Sequence, residues 1–289
     1  MITDNLTDTV FFADLLPKKC PLLYERLHQI LSENKVNHGL LPGTKDIWCR
    51  DYMPVQAHEN HFVFYKYNPD YLQTPFYKRT ITDVNRMDGM DFFRQGKVTD
   101  LDLVMDGGNL VKCADKVIMT EKVFVENKDK KRETVIRLLE EAFQCSFIFL
   151  PWDENEPLGH SDGIVHYIGD NKVLMTNYAD FDPFLARSMR KVLEKHFEVI
   201  TLSYPVKRKH KRSWAYINYM QIGQLVIVPQ LRLPEDELAL EQIKAVLPEC
   251  KVLGVPALEA VRKGGALNCV SWNLLYANQQ TKSYKNLHL

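Results

Sequence analysis

Asp106–Thr120 reads DGGNLVKCADKVIMT and Asp162–Thr176 reads DGIVHYIGDNKVLMT, and the two stretches align without a gap. Identities fall at Asp106/Asp162, Gly107/Gly163, Lys116/Lys172, Val117/Val173, Met119/Met175 and Thr120/Thr176, every pair offset by 56 residues. Self-similarity at a fixed period is the signature of a repeat architecture, each repeat supplying one supersecondary unit. Carrying the spacing outward meets a polar residue at the start of a comparable strand-turn-strand stretch each time, at Asp51, Asn218 and Cys269. Any one of these could be a turn residue, because Asp and Asn favour turns and DG is a hairpin signal. Five in register, the last of them a Cys, point instead to five units that share a centre.

The rest of each unit follows one recipe. Apolar residues at helical spacing come after the hairpins: Val135, Leu138, Leu139 and Ala142; Leu185, Met189, Val192 and Leu193; Ala239, Ile243, Val246 and Leu247. Short strands then follow at Ser146–Leu150, Val199–Leu202 and Lys251–Val255, while Leu23, Leu27, Ile30 and Leu31 form the helix ahead of the first hairpin. Tyr71–Thr99 fits least well, with poor helical period and long loops. The expected fold is α/β, a single domain over residues 1–289 made of five ββαβ-type repeats in a ring. The first hairpin strand of each repeat would aim residues 51, 106, 162, 218 and 269 at a common axis.

Composition narrows the function classes. Among 289 residues, Lys+Arg 37 equals Asp+Glu 37, so a general polyanion binder is not indicated. No apolar run approaches the roughly 18 residues of a membrane span. The opening MITDNLTDTVFF carries acids where a secretory signal needs a basic region, which points to the cytoplasm. Six Cys are scattered singly, with no CxxC, and read as free thiols.

Four segments could carry chemistry: WCRDYMP with Trp48, Arg50 and Asp51; MDGGN around Asp106; GHSDG with His160 and Asp162; and GGALNCV ending at Cys269. His160 and Asp162, two apart, would share one face of a strand. His166 could extend them to a metal trio, but no further carboxylate or Cys pattern completes a known ligand set. No GxGxxG or GxxxxGK[ST] accompanies Gly107 and Gly108, so a nucleotide site is not indicated. One Cys, one His and two or three carboxylates on a shared axis suit a planar cation. A guanidinium can be desolvated only where carboxylates accept its fork of donors, and Asp51 and Asp162 would hold it. A thiol needs nearby positive charge to become a nucleophilic thiolate, which the bound cation and His160 would supply. Cys269 would then add to the guanidinium carbon, and His160 would first protonate the leaving ammonia and then deprotonate a water. No metal or organic cofactor is required.

These segments resemble those of the agmatine deiminase and Porphyromonas-type peptidylarginine deiminase family, guanidino-group-modifying proteins with a five-bladed α/β propeller, or pentein, fold. WCRDYMP is similar to the family's W-x-R-D-x-x-P, MDGGN to its E-G-G-N/S, GHSDG to its G-H-x-D, AYINYMQIGQLVIVPQ to its strand pair before the last blade, and GGALNCVSW to its catalytic-Cys segment. The resemblance implies Cys269 as nucleophile, His160 as acid and base, Asp51 and Asp162 as guanidinium ligands, and Trp48, Asp106 and Asn218 along the pocket. It implies a small guanidino substrate, foremost agmatine converted to N-carbamoylputrescine, with no cofactor, no nucleic acid, no membrane, and a homo-oligomer as an option. Arginine or peptidyl-arginine deimination, amidino transfer and a non-catalytic binding propeller are the alternatives.

The chain departs from the pattern at three residues. Asp106 stands where Glu is usual, so its contact with His160 or the guanidinium is expected to be longer or water-bridged. Asn268 precedes the Cys where His is usual, and Ala266 replaces a Gly. The resemblance further leads us to expect no counterpart of the agmatine enzymes' leading segment before Thr9–Asp14, and such outer segments contact the far end of the substrate. The basic run Lys207–Arg212 reads as a solvated loop. If it overhangs the site, it would repel a distal amine and favour an acidic flank.

Overall fold

The computed structural model describes residues 1–84, 96–207 and 209–276. Five three-stranded sheets are present among them. β1 (Thr9–Ala13) and β2 (Asn37–Leu41) lie in one; β3 (Val55–His58), β4 (His61–Lys66) and β5 (Lys97–Val104) form the next. β6 (Val111–Lys112), β7 (Lys116–Thr120) and β8 (Ser146–Leu150) make the third, and β9 (Val165–Gly169), β10 (Lys172–Met175) and β11 (Glu198–Thr201) the fourth. The fifth holds β12 (Met220–Ile222), β13 (Leu225–Gln230) and β14 (Lys251–Pro256), while β15 (Ser271–Leu274) returns to the first sheet.

Every sheet repeats one topology, an antiparallel hairpin followed by a parallel third strand. The parallel pairing needs a crossover, and four blades use a helix for it: α1 (Pro21–Glu33), α2 (Arg132–Phe143), α3 (Pro183–Leu193) and α4 (Glu235–Val246). α3 shows how local sequence sets a boundary. Asp182 accepts from the N–H groups of Phe184 and Leu185, Pro183 occupies the first turn, and Ala186, Met189 and Leu193 form the buried face. The hairpin of the first sheet is closed differently, since β15 runs antiparallel to β1 with Thr9 opposite Leu274 and Phe12 opposite Ser271. The end of the described chain therefore completes the blade that its start began.

The five-unit ring expected from the repeat is present, and the strand boundaries agree with expectation to within a residue or two. Two details differ. The five polar residues do not sit on the first hairpin strands. Asp51 lies in the short helix Cys49–Tyr52, Asp106 precedes the 3₁₀ turn Gly107–Asn109, Asp162 lies in the turn Ser161–Gly163, Asn218 follows the 3₁₀ segment Lys211–Tyr216, and Cys269 lies in the turn ahead of β15. Short turns at the strand entries project side chains toward the axis, which a pleated strand would divide between two faces. Between β4 and β5 the described residues show only the short 3₁₀ turns Asp70–Leu72 and Tyr77–Thr80. Part of Tyr71–Thr99, residues 85–95, lies outside the described residues.

The apolar core is divided among the blades. The largest cluster joins Val10 and Phe12 of β1 to Tyr216, Val226, Val228, Ile243 and Val255 of the last blade. Val117, Met119, Val135, Leu139 and Phe143 fill the space under α2. Among the described residues, no helix is long and apolar enough to cross a membrane.

Candidate active site

The axial turns bring Asp51, His160, Asp162, Asn218 and Cys269 to one cavity of about 940 Å³, with Trp48 and Tyr71 on its wall. Cys269 is buried, and its Sγ stands 3.8 Å from Asp162 Oδ2. Its backbone N–H donates to Asn218 Oδ1 at 3.3 Å, and the Asn218 amide donates to the Asp162 carbonyl at 3.3 Å. Asn218 thus clamps the Cys269 turn to the Asp162 turn. Asn268, a departure at sequence level, donates to Asp162 Oδ2 at 2.7 Å and so orients that carboxylate. Asp162 Oδ1 is buried and has no hydrogen-bond partner.

His160 stands between two carboxylates. Its Nε2–H donates to Asp106 Oδ2 at 2.8 Å, and its Nδ1 is 3.8 Å from Asp51 Oδ1. The shorter side chain at 106 therefore neither lengthens the contact nor requires a water, contrary to expectation, because Asp106 lies directly against the ring. Asp106 also stands behind His160 and does not reach the cavity wall, so the expected pocket-lining role falls to its neighbours. The Gly108 N–H donates to Asp51 Oδ1 at 3.1 Å. A Cβ at Gly108 would stand 2.6 Å from both Asp51 Oδ1 and His160 Nδ1, so only glycine permits this approach.

The electrostatics follow from burying more carboxylates than cations. Burial raises Asp51 to about 8, with Asp106 and Asp162 adding to the rise and His160 opposing it. Burial likewise raises Asp162, against the pull of His160. For His160 burial alone works downward, but Asp51, Asp106 and Asp162 carry it up to about 10. Burial, reinforced by Asp162 and Asp51, pushes the Cys269 thiol well above its ordinary value. A cation entering this cluster relieves the carboxylates and draws the thiol toward thiolate at once.

His166 does not join His160 and Asp162. It lies against Tyr219 with ring centroids 3.9 Å apart and the rings tilted by 31°, and its proton affinity is lowered to about 4, first by burial and then by Arg50 and Lys112 against the pull of Asp4. Strand β9 turns it away from the cavity, so the metal trio does not form. Among the described residues, no group of three or more His, Cys, Asp or Glu side chains is arranged to hold a metal ion.

Trp48 reaches the cavity wall through a second glycine. A Cβ at Gly265 would lie 2.3 Å from the Trp48 ring. Gly265→Ala should push the indole off the wall and raise KM several-fold with a smaller effect on kcat, read from steady-state kinetics. Of the basic run, Lys211 reaches the cavity wall, Lys209 pairs with Asp180 at 3.0 Å, and Arg208 lies outside the described residues. The outer wall is of mixed sign, with Asp46, Asp153 and Glu156 facing Lys19, Lys211 and Lys263. That mixture removes the one-signed overhang anticipated from the run. Tyr71, also on the wall, carried no sequence signal because it sits in a connection without periodicity.

Five three-stranded blades, four of them with a helical crossover among the described residues, around an axial thiol, imidazole and carboxylate set define a pentein-type α/β propeller. Residues 25–274 match the family model described as Porphyromonas-type peptidyl-arginine deiminase, and the chain belongs to that family. A Listeria monocytogenes protein named "Putative agmatine deiminase 1" is 32% identical over 77 residues, 27% of this chain and 21% of that one. The match thus spans about a fifth of that curated relative's length. Among solved structures, the C. jejuni agmatine deiminase superposes with TM-score 0.76 at 18% identity, over 96% of each chain. An Enterococcus faecalis agmatine deiminase superposes with TM-score 0.69 at 17% identity, over 94% of each.

Proposed function

We propose that the protein is a cysteine hydrolase that converts a guanidino group to a ureido group and ammonia, with agmatine as substrate and N-carbamoylputrescine as product. The observation that carries this reading is the buried Cys269 thiol 3.8 Å from Asp162, a carboxylate whose second oxygen is buried and unpartnered. A guanidinium is the cation whose donors fit such an acceptor beside Asp51. Relatives and structural neighbours named as agmatine deiminases support the choice of agmatine. Asp46, Asp153 and Glu156 on the outer wall support it too, as acceptors within reach of a distal ammonium beside the lysines of the same wall.

Substrate binding sets the protonation states. The guanidinium between Asp51 and Asp162 offsets their charge, and the Cys269 thiol loses its proton to solvent. The thiolate adds to the guanidinium carbon, His160 gives its proton to one departing nitrogen, and ammonia leaves a cationic thiouronium on Cys269. Neutral His160 then takes a proton from water as the oxygen adds to the same carbon. The carbon–sulfur bond breaks, the thiolate is restored, and the ureido product departs after releasing one proton. Every step uses side chains of this chain alone, and the six free thiols suit a cytoplasmic location.

Incubation with agmatine, free arginine and an arginine peptide, with ureido product and ammonia both quantified, tests the reading. Agmatine should give equal amounts of the two and the highest kcat/KM. A new guanidine without ureido product would show amidino transfer instead, and no turnover of any of the three would remove the hydrolase reading.

A further inference from the structure

Tyr71 belongs to the 3₁₀ turn Asp70–Leu72 in the connection between β4 and β5. Two polar pins hold this turn over the site. Asp70 accepts from Lys122 Nζ at 2.6 Å, where the buried ammonium also lies 4.6 Å from the centre of the Trp152 ring. The Tyr71 hydroxyl donates to Asp106 Oδ2 at 2.7 Å, the same oxygen that accepts from His160 Nε2 at 2.8 Å. The Tyr71 and His160 rings meet edge to face with centroids 6.5 Å apart. Asp106 Oδ1 is buried and has no hydrogen-bond partner.

We infer that Tyr71 is a positioning residue for the reaction proposed above, dividing Asp106 Oδ2 with His160 so that the imidazolium is held in place but not so tightly that it keeps its proton. A carboxylate oxygen offers two lone-pair directions, and here both are taken. The phenol therefore does two things. It helps fix the plane of a short carboxylate whose other side-chain hydrogen bond comes from His160 itself, and it withdraws part of the negative charge that His160 would otherwise hold alone. The second effect matters because His160 must act as an acid when ammonia leaves and as a base when water attacks. An imidazolium bound too firmly fails in the second role.

His160 is faced by charged or titratable groups from several elements. Asp51 comes from the helix Cys49–Tyr52, Asp106 from the entry to Gly107–Asn109, and Asp162 from its own turn. Glu126, at the end of the helix Lys122–Glu126, is buried with an unpartnered Oε1 and is electrostatically linked to His160, Asp106, Lys122 and Asp70. These carboxylates all strengthen the hold on the proton. Tyr71 is the neutral donor that opposes them by occupying one acceptor.

Tyr71→Phe retains the ring on the cavity wall and deletes only the donor. A hydrogen bond to a charged acceptor contributes on the order of 1.5 kcal/mol, equivalent to about one pKa unit. The acid limb of the kcat profile should therefore move up by about one unit. Activity at neutral pH should fall about tenfold and recover when the pH is raised, with KM little changed. Asp70→Asn releases the other pin of the same turn without touching Asp106, and should leave the limb where it is. A second readout needs no turnover: ¹⁵N NMR titration of His160 after alkylation of Cys269 with 2-chloroacetamidine, whose amidinium stands in for the substrate cation. The same upward shift should appear in Tyr71→Phe and not in Asp70→Asn. An unmoved His160 titration in Tyr71→Phe, or equal shifts in both variants, overturns the inference. Should the native protein turn over no guanidino compound, the hydrolase reading fails while the NMR shift still decides whether Tyr71 tunes His160.

Discussion

Cys269→Ala is expected to abolish ureido-product formation, lowering kcat by on the order of 10⁴-fold or more, as removal of a covalent nucleophile does elsewhere. The fold should survive. Alanine fits a buried site, and the backbone N–H of residue 269 still donates to Asn218 Oδ1. Equal thermal transitions for the two proteins, beside complete loss of ammonia release, would place the effect in chemistry and not in assembly. The same thiol should discriminate between alkylating agents. In the free protein, burial and the carboxylates of Asp162 and Asp51 keep it protonated, so neutral iodoacetamide should react slowly. A haloacetamidine brings its own cation between those carboxylates and should react far faster. Equal rates with both reagents would mark Cys269 as an ordinary buried thiol.

Gly108→Ala is expected to cost at least about 100-fold in kcat/KM, since displacements near 1 Å at a reacting constellation have effects of that size. The new Cβ would lie 2.6 Å from Asp51 Oδ1 and from His160 Nδ1, the guanidinium ligand and the acid-base group of the proposed reaction. Both contacts are with side-chain ends that can swing aside, so the blade should still form. The preceding glycine offers the control. A Cβ at Gly107 would meet the carbonyl oxygen of Arg50 at 2.0 Å, and backbone cannot yield in that way. Gly107→Ala should therefore lower the melting temperature sharply, whereas Gly108→Ala should leave it close to native. Kinetics and differential scanning calorimetry on the pair separate the two outcomes. Full activity in Gly108→Ala would mean that Asp51 and His160 need not stand as close as they do.

The ring of five blades was legible because its units repeat their chemistry as well as their hydrophobicity. The matched stretches from Asp106 and Asp162 fix the period, and the polar residue at each unit start follows from it. Most of the axial set was accessible by the same route. The turns were not. A two-residue spacing such as His160 and Asp162 reads as one face of a strand, and only hydrogen bonding in three dimensions places it in a 3₁₀ turn. Asp106 illustrates a second limit: counting methylenes suggested a longer contact with His160, yet backbone placement decides the distance. Tyr71 and Lys122 illustrate a third. They come from a connection without periodicity and from a short helix after a strand, and their roles arise from partners 35 and 52 residues away.

The pairing of β1 with β15 has a bearing on how the protein ages. Thr9 lies opposite Leu274, so this seam is the contact of longest loop in the ring and the one that chain entropy favours least. Cys269 sits in the turn that feeds it, and the Arg50 N–H donates to the Cys269 carbonyl at 3.2 Å. Opening the seam would free Cys269 from Asn218 and Asp162 while the other four sheets keep their strands. Loss of turnover is then an early warning, a gauge of one zipper and not of the whole ring, and activity should fade on heating before the bulk secondary structure does.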